Sequence, residues 1–176
     1  ARAYLSSVHH HLFFINDKRV GKGVSFENPE YQYYQAFDIG PFLQPGGDVV
    51  FGLRCHWFSG GQGRPASRPG LIFKAVIDFD DGTSIVVNSD STWKTHPAEW
   101  FLDGQKASRN GEGIPSEYID GRRYPVGWNT VNYNDSDWDP AAQIGPQPTA
   151  PWTGTLAAQY TSIDEYEIKP VTVKKI

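Results

Sequence analysis

The sequence predicts an all-β fold: a jelly-roll-like (galactose-binding-like) antiparallel β-sandwich with short helical turns. Three observations carry that expectation. Aromatic residues make up 14% of the chain, beside 18 glycines, 13 prolines and no methionine, a mix that favours strands joined by tight turns. Apolar and polar residues alternate with period two, most clearly at 73–80. No window carries a sustained helical period, and about seven to ten short strands with turns between them mean a sandwich or a barrel.

The elements follow in order. "ARAYLSSVHHHLFFINDKRVG" reads as two strands joined by a turn at Asn16-Asp17, since Asn and Asp tolerate the left-handed backbone of tight hairpins. "YQYYQAFDI" is a further strand. "GPFLQPGGD" allows one helical turn and then a Pro-Gly-Gly turn. "DVVFGLRCHWF" is mostly apolar, as expected of a strand covered on both faces. "SGGQGRPASRPG" (59–70) has no apolar period and reads as a long loop. "LIFKAVIDFDDGTSIVVNSDSTWK" is the clearest hairpin: Phe73, Ala75, Ile77 and Phe79 alternate with Lys74, Asp78 and Asp80, and Asp81-Gly82 supplies the turn. "HPAEWFLDGQKASRNGEGIPSEY" is irregular, and "TSIDEYEIKPVTVKKI" reads as a last strand in which Pro170 favours an edge or a bulge.

At 176 residues the chain is expected to form a single domain over 1–176. That length buries roughly 70% of the unfolded surface, so stability needs no disulfide. Cys55 is the one cysteine, and it reads as a small buried hydrophobe in an apolar run. The net charge is −4 with no basic stripe, which argues against nucleic acid as a partner. No apolar run approaches ~18 residues, so no membrane span is expected. No leader is visible, and both ends look cut, as in a piece of a larger multidomain protein.

The stretch "SEYIDGRRYPVGWNTVNYNDSDW" (116–138) concentrates the candidate chemistry. Glycoside cleavage needs two carboxyls about 5–9.5 Å apart, one with a raised pKa. Glu117 with Asp120, or Glu99 with Asp103, could meet the distance, but Arg122 and Arg123 beside Asp120 would depress its pKa. No GxSxG elbow, P-loop or HExxH motif is present. On a strand, His9 and His11 share one face while His10 points the other way. Strand histidines that keep a ring N–H bonded are the expected state, and no metal site is assigned. "NYNDSDW" reads as an Asx-turn in which Asp135 aims Trp138 back into a core.

Taken together these segments resemble the N-terminal β-domain of bacterial α-L-rhamnosidases. The opening, with Ile15-Asn16-Asp17-Lys18-Arg19-Val20-Gly21, is similar to that family's second strand, which ends in Leu-Asn-Gly-Lys-Arg-Val-Gly. "YYQAFDIGPFLQPGGDVVFGLRCHWF", "DFDDGTSIVVNSDSTWK" and "EYIDGRRYPVGWNTVNYNDSDW" resemble its later segments, in the same order. The resemblance implies a jelly-roll-like β-sandwich lying N-terminal to a helical (α/α) barrel. That barrel, not this domain, carries the acid and base that cleave terminal α-L-rhamnose. In some members the β-domain binds rhamnose with calcium, the one cofactor the resemblance brings in. An acidic pair precedes the Tyr-Asp-Ala-Arg step in the family, but here Pro115 and Ser116 leave only Glu117 to match, and Gly121 stands where the family has Ala.

The expected function is a non-catalytic accessory domain packing on the catalytic barrel of the same chain. The alternative is an independent carbohydrate-binding module for L-rhamnose or a related sugar, and a lectin-like enzyme in its own right comes last. The candidate sugar-binding residues are Glu117, Asp120, Arg122, Trp100 and Trp57, with a ring such as Trp100 covering an apolar sugar face.

Overall fold

Residues 2–15, read from the sequence as one strand, form two. The computed structural model describes residues 1–25, 31–57, 67–102, 106–107, 114–115, 118–161 and 168–172. In it β1 (Arg2–Ser7) and β2 (His9–Ile15) belong to different sheets, and His9 takes a positive φ of 82° where the chain crosses between them. β3 (Lys18–Ser25) returns beside β2 through Asn16 (φ 46°) and Asp17 (φ 67°). Both turn residues are left-handed, as a type I′ hairpin requires. The Asn16 side chain also accepts from Val50 N at 2.8 Å and donates to Asp48 O at 3.0 Å, tying the turn to the segment 48–50.

The remaining longer strands are β4 (Tyr31–Asp38), β5 (Phe51–His56), β6 (Leu71–Asp78), β7 (Ser84–Asn88) and β14 (Thr155–Ala158). Between β7 and β14 come two-residue strands: β8 (Lys94–Thr95), β9 (Phe101–Leu102), β10 (Lys106–Ala107), β11 (Ile114–Pro115), β12 (Tyr118–Ile119) and β13 (Asp139–Pro140). One sheet runs β14-β4-β1-β6-β7 and the other β3-β2-β5. The two face each other as a sandwich, and among the described residues every strand pairing is antiparallel except β14 on β4. The single 3-10 turn expected after β4 is present at Gly40–Phe42.

Period-two burial makes the core. Ala3 and Leu5 of β1, Phe13 and Ile15 of β2, and Phe73 and Ala75 of β6 are all 0–1% exposed. Phe13 is the hub: its ring centroid lies 5.5 Å from Phe37 and 5.6 Å from Phe73, both in the opposite sheet. Trp93 adds a fourth ring, 5.2 Å from Phe73. Burying each large side chain stabilises by about 1.5–3 kcal/mol, and the interlocking rings hold the two sheets in one register.

At the Phe14–Gly52 end, the outer face of the three-stranded sheet is covered by the irregular chain after β8. Phe14 and Trp128 meet edge-on at 5.8 Å. A Cβ at Gly52 would come within 2.8 Å of Asn129 Cβ and 3.1 Å of the Trp128 ring, so glycine there lets that layer close. The cover reaches only Gly52 of β5: the strand's outer face otherwise carries Arg54 and His56, so β5 is apolar on its inner face alone, and the expectation of a strand covered on both faces is corrected. Trp138 stacks on Trp128 at 6.3 Å and 23°. Trp128 and Trp138 are thus half-buried braces on an outer layer rather than central core.

Some local readings change and others fall outside the described residues. Asn134, not Asp135, makes the Asx-turn, accepting from Ser136 N at 3.2 Å, while Asp135 uses its backbone carbonyl to receive Trp138 N. The last described strand is β14; of the strand expected over 161–176, residues 168–172 are not strand, and 162–167 and 173–176 lie outside the described residues. β14 was not foreseen because "TLAA" has little strand propensity; pairing with β4 and the buried Trp152 hold it. The loop expected at 59–70 falls mostly outside the described residues, apart from its end at 67–70.

Candidate functional site

β9 and β12 form a ribbon whose end carries most of the predicted site residues. Ile119 pairs with Phe101 and Tyr118 with Leu102, after which Asp120 N donates to Trp100 O at 2.9 Å. The chain then turns through a 3-10 turn at Gly121–Arg123, capped by the Asp120 side chain, which accepts from Arg122 N at 3.1 Å. Asp is suited to this because its short carboxylate reaches the backbone N–H two residues on.

The Arg122 guanidinium closes on the same carboxylate. Its Nε donates to Oδ1 and a terminal nitrogen donates to Oδ2, both at 2.8 Å, and Arg123 Nε lies 3.7 Å from Oδ2. These bonds, the Arg122 side chain first, hold the Asp120 carboxyl below the usual carboxylate range. Only 13% of the Asp120 side chain reaches solvent, because its own arginines lie across it, whereas Arg122 itself is 91% exposed. Few other protein atoms surround the carboxylate, so the pair sits in a water-like setting and shapes the loop more than it stabilises the fold.

Trp100, expected to offer its face to a sugar, is 7% exposed. Tyr124 meets it edge-on at 5.2 Å and Phe101 lies 5.9 Å away. Its ring is committed to supporting the ribbon. Tyr124 in turn accepts from Trp128 Nε1 at 3.1 Å, which links the site to the outer layer. Trp57 is 38% exposed at the end of β5, with Nε1 3.5 Å from Ser67 Oγ. Glu117 lies outside the described residues. The structure therefore brings Asp120, Arg122 and Trp100 together and leaves Trp57 beside His56, whose ring lies 6.3 Å from Phe101. The exposed rings and aliphatics of the ribbon are Tyr118 (48%), Ile119 (57%) and Leu102 (42%).

The histidines separate as the strand period dictates. His9 and His11 are buried at 3% and 2% exposed, and His10 points outward. Ser7 Oγ and His11 Nδ1 are 2.7 Å apart, and burial pushes the His11 imidazole down to about 4. Among the described residues no three His, Cys, Asp or Glu side chains gather as metal ligands. No described helix is long and apolar enough to cross a membrane.

Sequence reading had not foreseen that His56, Lys22 and Arg54 would gather around the outward His10. Register is the signal that finds them, and register needs the partner strand.

Comparison with known proteins gives this geometry a family. The model for the α-L-rhamnosidase N-terminal domain matches residues 1–167. An α-L-rhamnosidase of Streptomyces avermitilis is 24% identical over 149 residues, 78% of this chain and 14% of that protein. One from Formosa agariphila is 26% identical over 166 residues, 84% of this chain and 16% of that protein. The crystal structure of the GH78 family rhamnosidase of Bacillus sp. GL1 superposes with a TM-score of 0.69 at 28% identity, covering 90% of this chain and 16% of its own. The chain spans about one-sixth of the curated relatives it matches. The match over 1–167 places this chain in the α-L-rhamnosidase N-terminal domain family.

Proposed function

We propose that the chain is the non-catalytic accessory domain of an α-L-rhamnosidase-type glycoside hydrolase, docked on a helical catalytic barrel that supplies the acid and base. The observation that carries this reading is the family match over nearly the whole chain, which covers about one-sixth of relatives named as α-L-rhamnosidases.

The site's chemistry supports it. A general acid needs a raised carboxyl pKa. The described carboxyls that shift (Asp81, Asp90 and Asp120) are all held low by hydrogen bonds. Both oxygens of Asp120 accept from Arg122, and Trp100 is buried, so neither is set out for a sugar. Phe79 (45% exposed), Ile85 (50%) and Val86 (51%) leave apolar surface on and beside the edge strand β7, which suits docking.

The test compares the parent enzyme with the isolated 176-residue chain on an aryl α-L-rhamnoside, alongside calorimetric titration of the chain with L-rhamnose, with and without calcium. The accessory reading expects product only from the parent and no heat at millimolar rhamnose. Saturable rhamnose binding would replace it with the binding-module reading, and product from the isolated chain would make the domain itself an enzyme.

A further inference from the structure

The outer face of the three-stranded sheet gathers basic side chains. His10 on β2 stands directly opposite His56 on β5. Leu12, two residues on, has Arg54 on one side and Lys22 of β3 on the other. Side chains directly opposite in an antiparallel pair have Cβ atoms about 4.5–5.5 Å apart, and diagonal neighbours remain within reach of long side chains. Four basic groups therefore surround one leucine. Lys22 and His56 are exposed, and His10 and Arg54 are half-buried.

The ribbon β9–β12 adds a ring at the edge. The Arg54 guanidinium lies 5.8 Å from the Phe101 centroid, and His56 is tilted 32° to the same ring. The crowding of like charge registers on His10, whose imidazole is held below its ordinary range first by burial, then by His56 and Lys22. The chain as a whole carries −4, so this patch runs against the protein's net charge.

We propose that His10, Lys22, Arg54 and His56 form a subsite for an acidic sugar, binding the carboxylate of a uronic-acid unit while Leu12 and Phe101 offer apolar surface to its ring. The carbohydrate part of this assignment rests on the glycoside-hydrolase reading, whereas the anion part rests on register alone. A guanidinium can receive a carboxylate on two parallel N–H bonds, and the ammonium and imidazoles add charge around it. The described charged groups facing His10 are Lys22 from β3 and His56 from β5. Protonation of His10, which needs more acid than a free imidazole, therefore adds positive charge to the patch and strengthens binding. By linkage, a bound carboxylate raises the pKa of His10.

The experiment is calorimetric and NMR titration of the 176-residue chain with tri-galacturonate, L-rhamnose and acetate at pH 5.5 and 7.5. Tri-galacturonate is expected to saturate, to bind roughly fivefold or more tightly at the lower pH, and to raise the His10 titration midpoint. Arg54→Gln and Lys22→Gln are each expected to weaken it by about fivefold or more. The exposed Lys22 variant carries the test if Arg54→Gln fails to fold. Three results overturn the subsite: no saturation, equal affinity for rhamnose and the acid sugar, or acetate binding as tightly as the trimer. None of the three touches the family assignment, which the rhamnoside assay on the parent judges separately.

Discussion

Ser7 of β1 and His11 of β2 meet at 2.7 Å inside the sandwich, joining the two sheets through one hydroxyl and one ring nitrogen. The other ring nitrogen, Nε2, and the side-chain oxygen of Gln35 on β4 have no hydrogen-bond partner among the described residues, and both stand over Gly23 of β3. Gln35 passes the connection on, its amide donating to Gln159 just beyond β14. This end of the core is polar, tight and without a described acid to neutralise an added proton.

Acid should therefore loosen the fold through His11. Its folded pKa is lowered to about 4 from an unfolded 6.5. Above pH 6.5 the ring is neutral in both states and the full stability is present. As pH falls from 6.5 toward 4 the unfolded chain takes the proton first, so stability falls, by about 3 kcal/mol at the lower end. Urea denaturation across pH 4–8 checks this, and His11→Gln should flatten the slope in that window.

Gly23→Ala should destabilise. An added Cβ would lie 2.5 Å from His11 Nε2 and 2.6 Å from Gln35 Oε1, and nearer still to His11 Cε1. Overpacking of this kind costs about 1–3 kcal/mol. Gly121→Ala is the control: nothing lies within 4 Å of its Cβ position, and a near-neutral change in urea midpoint is expected.

Phe13→Ala should be the most damaging single core truncation. The side chain is fully buried and touches rings in both sheets. A loss of about 3–5 kcal/mol is expected in chemical denaturation, enough to consume much of a domain's stability.

Asp120→Ala should leave the global melting transition nearly unchanged and open the turn locally. The carboxylate holds Arg122 N and the Arg122 side chain rather than any core group. Amide exchange at Arg122 should accelerate while exchange in β1, β2 and β6 stays as in the parent chain.

Cys55 should resist thiol reagents in the native chain. Its residue surface is open, yet the thiol is surrounded closely enough that burial pushes its pKa up to about 12. The second property governs, because the thiolate is the reacting species, and register puts Cys55 opposite the buried His11. Labelling with a disulfide reagent at pH 8 is expected to be slow until urea is added. Fast native labelling would show that the open surface decides instead.

The sequence by itself determined what depends on neighbours along the chain. Asn16-Asp17 and Asp81-Gly82 made their turns because left-handed backbone is a property of those residues. The alternation through Phe73 and Ala75 put the right side chains inside because strand side chains repeat every second residue. Arg122 lowered the pKa of Asp120 because the two are close in sequence. Tertiary structure alone decided which faces were covered. Trp100 is buried by Tyr124, Trp128 lies over Gly52, β14 runs parallel to β4, and His10 stands across from His56. Each of these is a contact between segments distant in sequence, and its free energy comes from packing that no local propensity encodes.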